Sequence, residues 1–393
     1  MAGTGSDPRL IGVPDSGYPP TIDEDAIIRQ VDNELMQAMD LSVPLLTMLG
    51  GLSGFVFNAP KQYWVEDDLW RRRLASHGGL AAADTLILTV TGQAHRYPVG
   101  TIFNMEDELI RVTSYIDADT VGVSRAWGGT SAAIHASTVK ARVAGGAMSE
   151  NDNWVYRPTS IVALPFNYSQ MSHKAVRNSW QRAETRMYGV DGASDLDKQT
   201  ADTLAQETVA IEAALVMGQR DVGSSGNPSS AGGFPFYITA ANGADVTDKN
   251  SAVLQESDIH NMINRIIEVV GIENVGRTII CDQWAKRKIS SWYAGSRRLT
   301  SDEKIGGATV DTLRTEWGDF RVLMHYSLPD GNLYLINEGN IKVGHYGATG
   351  LLGVYDVLQN QGPFKGNAVY TSYSFRVKNV PTMGRVHDYS LTS

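Results

Sequence analysis

With 393 residues, 42% of them hydrophobic and 8% aromatic, the chain holds enough apolar material for a sizeable core and predicts two or three domains. Its 43 acidic against 34 basic residues leave a formal charge of -9, the wrong sign for a protein whose whole surface binds nucleic acid. Lone Cys281 has no intrachain disulfide partner, which points to a reducing compartment. The absence of a run of about 18 apolar residues excludes an ordinary membrane helix, and the first twenty residues lack the basic start and apolar stretch of a signal peptide.

Residues 1–20, rich in Gly, Pro and Asp, read as an extended arm. Thr21 and Glu24 then have capping-box spacing, and Ile28, Val31, Leu35 and Met39 follow one helical stripe. Such a helix either packs on its own domain or lies on a neighbouring copy. From residue 55 an aromatic, strand-like piece runs through Tyr63 and Trp64 into Glu66, Asp67 and Asp68, then past Trp70 into Arg71, Arg72 and Arg73. The opposite charges can pair within one turn or across to another chain. Tryptophan and arginine are also typical anchors of interfaces, so these eight residues, Tyr63 aside, are the candidate intersubunit contacts.

Between Asp84 and Gly145 short alternating segments rich in Val, Ile and Thr, broken by Gly and Asp turns, predict a small antiparallel β unit inserted into the main body. A helix is predicted to start at Ser172, with Val176, Trp180 and Met187 on one face. A second, longer helix follows over SDLDKQTADTLAQETVAIEAALVMG. There Leu204, Ile211 and Leu215 recur at helical spacing, Gly218 ends the run, and the whole predicts a spine with those three residues in its core. Residues 219–250 read as a long loop, either mobile or ordered by other chains. A compact α/β unit comes next. It has a helix capped by Ser257 with Ile259, Met262, Ile263, Ile266 and Val270 inward, a strand TIIC around Cys281, a helix after it, and strands FRVLMHYS, NLYLINE and IKVG. The tail YTSYSFRVKNV has strand periodicity and is expected to cross back to the spine.

Catalytic patterns are missing. There is no glycine-rich loop ending in Gly-Lys-Ser/Thr, no Gly-x-Ser-x-Gly and no His-Glu-x-x-His. The eight histidines are scattered and read as surface or satisfied core residues. Asp107, Asp117 and Asp119 read as turn residues more than as cation ligands. Cys281 reads as a small buried hydrophobe, and Asn167-Tyr168-Ser169 is a weak glycosylation match. No catalytic residue, metal or cofactor is expected.

Three stretches carry a resemblance. FNAPKQYWVEDDLWRRR resembles the acidic segment of an extended loop; PVGTIFNMEDELIRVTSYIDADTVGVSRAWGGTSAAIHA resembles a small β insertion; and residues 167–218 resemble a peripheral-domain lead-in and spine helix. All three belong to the tailed-phage major capsid (major head) proteins of the HK97 fold, within a branch known only as a domain of unknown function. On that likeness Glu108 and Arg125 take the insertion's charged positions, Gly128, Gly129 and Thr130 its turn, Gln170 and Gly189 flank the first helix, and Ile211, Glu212 and Leu215 fall on the spine. Trp127 departs from the pattern, standing where a glycine is common, and the lysine to asparagine crosslink of some relatives has no named pair here.

The resemblance implies an α+β, HK97-like fold. Its expected parts are an N-terminal arm (1–54), an extended loop (55–83), the inserted β domain (84–145) and a peripheral domain with the spine helix and following loop (146–250). An axial domain (251–350) and a C-terminal segment returning to the peripheral domain (351–393) complete it. It implies a structural subunit that assembles with itself into hexamers and pentamers of an icosahedral virion shell, in the host bacterial cytoplasm. Portal protein, scaffold and cement or decoration proteins are implied partners, packaged double-stranded DNA is touched nonspecifically, and no membrane is involved. The readings weighed against it are a tail-associated or secreted binding protein and an unrecognised hydrolase. The insertion is expected on the outer side of the shell, filling space between subunits.

Overall fold

A computed structural model describes residues 43–67, 79–88, 94–137, 139–150, 163–181, 195–224, 226–292, 299–305, 308–347, 352–356 and 364–391. Of the expected arm (1–54), residues 1–42, with the helix expected at 21–39, lie outside these residues; residues 43–54 are described, and Leu45 and Leu46 among them are buried in the body's core instead of forming part of an arm.

The spine is the helix α2 (Asp195–Met217), preceded along the chain by the short α1 (Pro44–Met48). Asp195 and Asp197 occupy the first turn of α2, where the exposed amide ends of the helix favour negative charge. Its last turn stops at Gly218, where a β-carbon would come within 2.2 Å of the Ala214 carbonyl oxygen. Ile211 and Leu215 are fully buried as expected, in a core with Leu45, Phe234 and Phe375, whereas Leu204 is only half-buried. It lies about two turns before Ile211 and is not part of that cluster.

The helix lies on a five-stranded sheet made of β1 (Phe55–Phe57), β9 (Gln170–Ser179), β16 (Ile341–Tyr346), β17 (Gly353–Asp356) and β18 (Phe364–Val377). The 14-residue β18 is the expected returning strand; it pairs antiparallel with β16 and β17 and, over ten residue pairs, with β9. The segment expected to be helical from Ser172 is therefore β9. The inward positions of β9 are largely polar: Ser172 and Lys174 reach Glu207 of α2, and Asn178 reaches Asp195. Hydrophobic periodicity consequently carries no trace of the two-residue repeat, and a ten-pair ladder outweighs local helical spacing. Residues 182–189 of that expected helix lie outside the described residues.

The second layer is a seven-stranded sheet in the order β10 (Asp245–Asp248), β19 (Gly384–His387), β15 (Asn332–Ile336), β11 (Thr278–Cys281), β14 (Gly318–Met324), β13 (Ala308–Thr315), β12 (Leu299–Ile305). Among the short helices α3 (Phe234–Tyr237), α4 (Glu256–Val270) and α5 (Gln283–Trp292), α4 packs its five expected apolar residues inward. Its cap is Gln255 in a capping box with Asp258, two residues before the expected Ser257. Cys281 is fully buried, and burial pushes its thiol up to about 12, which keeps it an unreactive thiol at neutral pH. Four strands depart from the expected partition: β1, expected in the extended loop, and β16, expected with the axial strands, lie in the spine sheet, while β10, expected with the peripheral domain, and β19, near the end of the expected returning segment, lie in the axial sheet. The chain thus crosses between the layers repeatedly.

The inserted unit is a five-stranded antiparallel sheet in the order β3 (Leu86–Leu88), β6 (Thr120–Ser124), β5 (Glu108–Tyr115), β4 (Thr101–Met105), β7 (Arg142–Gly146). It has a core of its own, including Ile87, Phe103, Met105, Ile110, Val112 and Val121. The two remaining strands, β2 (Lys61–Tyr63) and β8 (Phe166–Tyr168), pair with each other where the chain departs toward the insertion and returns.

Residues 219–250 depart from expectation. Ala231, Phe234 and Ile238 are fully buried in the spine core, so this segment is ordered by its own chain. Asn167 fixes it: the fully buried amide donates to the Gly232 and Phe375 carbonyls and accepts from the Gly232 and Tyr168 amides. With four hydrogen bonds and no exposure, Asn167 is closed to glycosylation.

Replacing Ile211 by Asp places a carboxylate in this core without a partner, a change expected to cost more than about 4 kcal/mol and to abolish soluble folded protein. Solubility and circular dichroism of Ile211→Asp check it; a variant that folds and melts as the parent does contradicts the packing described here.

Candidate assembly surfaces

The chain leaves the spine layer along β2 and comes back along β8, and this ladder continues outward through Trp64 N–H to the Pro165 oxygen (3.1 Å) and a reciprocal pair between Glu66 and Ala163 (3.0 and 2.8 Å). Strand alternation gives the ladder two unlike faces. Gln62, Trp64 and Asn167 are buried on the body side. Lys61, Tyr63 and Val65, opposite Tyr168, Phe166 and Leu164, form the other, on which Tyr63, Val65 and Leu164 are exposed.

Trp64 is only 4% exposed and packs 5.7 Å from the Tyr237 ring in the chain's own core, and its indole donates to Glu66 (2.8 Å). The same Glu66 oxygen accepts the Asn379 amide (3.2 Å). Trp64 and Glu66, two of the eight candidate contacts, thus serve the fold of the single chain. Asp67 is exposed at the outer end of the ladder. Asp68, Trp70, Arg71, Arg72 and Arg73 lie outside the described residues. Of the exposed members, Tyr63 is marked by the sequence only as part of the aromatic piece, and Val65 and Leu164 are not marked at all. The signal was the alternation in Lys61–Glu66 and Leu164–Tyr168, which only pairing of two segments a hundred residues apart turns into a face.

The insertion is organised by one carboxylate. Glu108, 1% exposed, accepts Arg125 Nε and Nη2 (2.7 Å each), the Ala126 and Ala133 amides (3.0 Å each) and lies 2.9 Å from His135 Nε2. Burial by itself raises this carboxyl's pKa, but the hydrogen bonds from Arg125, Ala133, Ala126 and His135 outweigh it and hold the group well below the usual carboxylate range. Arg125 also donates to the Ala81 and Ala133 carbonyls, so one ion pair ties together four separate stretches of the insertion. The turn beyond it needs left-handed backbone at Ala126, Gly128 and Gly129 (φ 54°, 67° and 84°). Trp127 falls between them without a positive φ, which is why this departure from the family pattern is accommodated; its ring lies 4.8 Å from the Arg111 guanidinium. Thr130 closes the turn by donating to the Trp127 carbonyl and accepting the Leu109 amide.

A second buried carboxylate joins the layers. Glu212, 2% exposed, accepts the Leu46 amide (2.7 Å) and the His325 ring (2.6 Å). The Ser327 amide donates to His325 Nδ1 (3.1 Å), which places the ring proton on Nε2, facing Glu212. His135 and His325 are thus both satisfied core histidines. Asp117 accepts the Asp119 amide within its turn, and no group of three or more His, Cys, Asp or Glu side chains among the described residues is placed to hold a metal ion. No helix among them is long and apolar enough to cross a membrane.

The model of a family described as SU10 major capsid protein matches residues 17–390. In fold, the chain is similar to one from the cyanophage A-1(L) capsid, with a TM-score of 0.53 and 8% identity over 94% of this chain and 98% of that one. It is similar also to the capsid protein of a native GTA particle, with a TM-score of 0.52 and 10% identity over 93% and 96%. No curated protein sequence matches the chain.

Because the folded Glu108 has a depressed pKa, its stabilising contribution is complete above the unfolded carboxyl's value near ~4.3 and is lost as pH falls through the folded value. Glu108→Gln should therefore destabilise the insertion at pH 7 by about 3–5 kcal/mol, since Arg125 loses its charged partner, and the gap to the parent should narrow as pH drops below about 4. Hydrogen exchange of β4 and β5 amides in the full chain measures it, and a gap that stays constant from pH 7 to pH 3 contradicts the assignment.

Proposed function

Since the chain belongs to the SU10 major capsid protein family, we propose that it assembles with itself as hexamers and pentamers that close an icosahedral phage head around double-stranded DNA. The chain is a capsid-forming structural protein of HK97-like fold and not an enzyme. The observation that carries the reading is the family match across nearly the whole chain, supported by a fold of the same extent as two capsid proteins. Nothing observed favours a tail-associated or secreted binding protein, or a hydrolase.

The finer reading draws on charge and shape. Shell formation in the host cytoplasm, with the acidic chain touching packaged DNA only nonspecifically, fits a net charge of -9. Portal, scaffold and cement proteins are partners of the same reading. The division into arm, extended loop, insertion, peripheral and axial domains is kept with β1, β10, β16 and β19 reassigned, and the insertion's separate core suits a module on the outer side of the shell.

The intersubunit contact narrows to the outer part of the charged stretch. Trp64 and Glu66 anchor the ladder to its own body, and Asp67, Asp68, Trp70, Arg71, Arg72 and Arg73 are the residues offered to a neighbour. Ion pairs exposed on one subunit are worth roughly 0–1 kcal/mol, but pairs partly desolvated at a contact contribute more, and the gain is repeated at every copy in a shell. Replacing Arg71, Arg72 and Arg73 together by Glu should leave the melting of the unassembled subunit within about 1 kcal/mol of the parent and prevent closed shells. Calorimetry on the free subunit and electron microscopy of the assembly reaction test both halves. A subunit that no longer folds, or shells as salt-resistant as the parent's, would contradict the proposal.

A further inference from the structure

Residues 67–162, insertion included, join the body through the β2–β8 ladder. No strand of the insertion packs broadly against either body sheet among the described residues. A second link, the ion pair between Lys140 of the insertion and Glu268 of α4, leaves Lys140 half-exposed. Exposed pairs of this kind fix orientation weakly. The direction in which the excursion points is therefore set at the ladder.

Phe166 stands at its centre, and its surroundings are unusual. Lys61 Nζ lies 3.8 Å and the Arg220 guanidinium 3.9 Å from the centroid of the one ring. Arg220 is also 4.2 Å from the Phe236 ring, so it bridges an aromatic on the ladder and an aromatic on the body. Its Nη1 donates to the Phe166 carbonyl (2.8 Å), and the Tyr237 hydroxyl donates to that same oxygen (2.8 Å). Tyr63 and Tyr168 pack on Phe166 with centroids 5.7 and 5.6 Å away. Ring and carbonyl of a single residue are thus gripped from both strands of the ladder and from the 218–238 segment. A planar guanidinium suits this place because it stacks on two rings while its edge donates, which an ammonium cannot do at once.

We infer that Arg220, with Lys61, is a positioning residue for assembly: by clasping Phe166 it fixes the angle at which residues 67–162 leave the spine layer, and so where they meet a second copy of the chain. The inference rests on the capsid reading for its second half only. The clasp acts far from the excursion's tip, so a small rotation at the ladder becomes a large displacement there, and a shell requires every copy to present the same angle.

The test compares Phe166→Leu, Arg220→Lys and Phe166→Tyr with the parent in the full-length protein. Hydrogen exchange is followed at the Trp64, Glu66, Ala163 and Ser169 amides of the ladder, and assembled particles are examined by electron microscopy. In Phe166→Leu and Arg220→Lys the ladder amides should exchange about tenfold faster while those of α4 and β11 are unchanged, and particles should become open or mixed in size. Phe166→Tyr, which keeps the ring, should restore both. Unchanged ladder exchange in the first two variants overturns the clasp. Loosened ladders with shells as uniform as the parent's overturn the positioning role, as does failure of Phe166→Tyr to restore either readout. If the parent itself forms no shells, the capsid reading fails, and the exchange measurement still decides the clasp.

Discussion

The buried carboxylate of Glu212 is the constraint on which the arrangement of the body depends. One buried carboxyl group inside the spine core holds the amide of Leu46, from the segment that enters the fold, and the ring of His325, from the axial layer just beyond β14. Its two partners lie 166 and 113 residues away along the chain. Hydrophobic contact fixes how closely the helix packs but tolerates sliding; a buried carboxyl group that has left water tolerates very little, since losing its hydrogen-bond partners costs several kcal/mol. The spine helix is thereby held in one register against both the entering segment and the axial layer. Asp282 plays a smaller version of this part within the axial layer, accepting the Ala285 and Gly331 amides and the Tyr389 hydroxyl.

Against that stiff body, the excursion from 67 to 162 is organised on different terms. It has its own core and its own buried ion pair at Glu108, and it meets the body through two strands and a surface contact. A rigid body with a separately folded, narrowly attached projection suits a protein that must make the same contact with each of many copies. Trp64 shows how the division is enforced: it turns into the core beside Tyr237 and secures the ladder's root.

Much of this was legible in the sequence where burial and helical period coincide. The spine helix with Ile211 and Leu215, the inward face of α4, the buried strand of Cys281 and the short strands of the insertion all appear there because their inner faces are apolar. What escaped did so for definite reasons. The inner face of β9 is largely polar and bonded to Glu207 and Asp195, so its period is invisible to hydrophobicity. The segment 219–250 is rich in turn residues, yet its few apolar members, Phe234 and Ile238 among them, are wholly buried, and Asn167, far off in sequence, supplies the hydrogen bonds that hold it. The crossing of β16 and β19 between layers depends on pairing over long separations, which no local pattern encodes. The family resemblance marked Glu108, Arg125 and Glu212 as positions, but their partners Ala133, His135, Leu46 and His325 emerge only in three dimensions.

The central claim is that copies of this chain assemble with one another into a shell, with the excursion of each copy carried at one fixed angle. Electron cryomicroscopy of the purified, unmodified chain under assembly conditions tests it most directly. The account predicts closed icosahedral particles in which the body fits as described and residues 67–73 of each copy lie against a neighbouring copy. A chain that remains monomeric across salt and concentration, or particles in which those residues face only solvent, would contradict it.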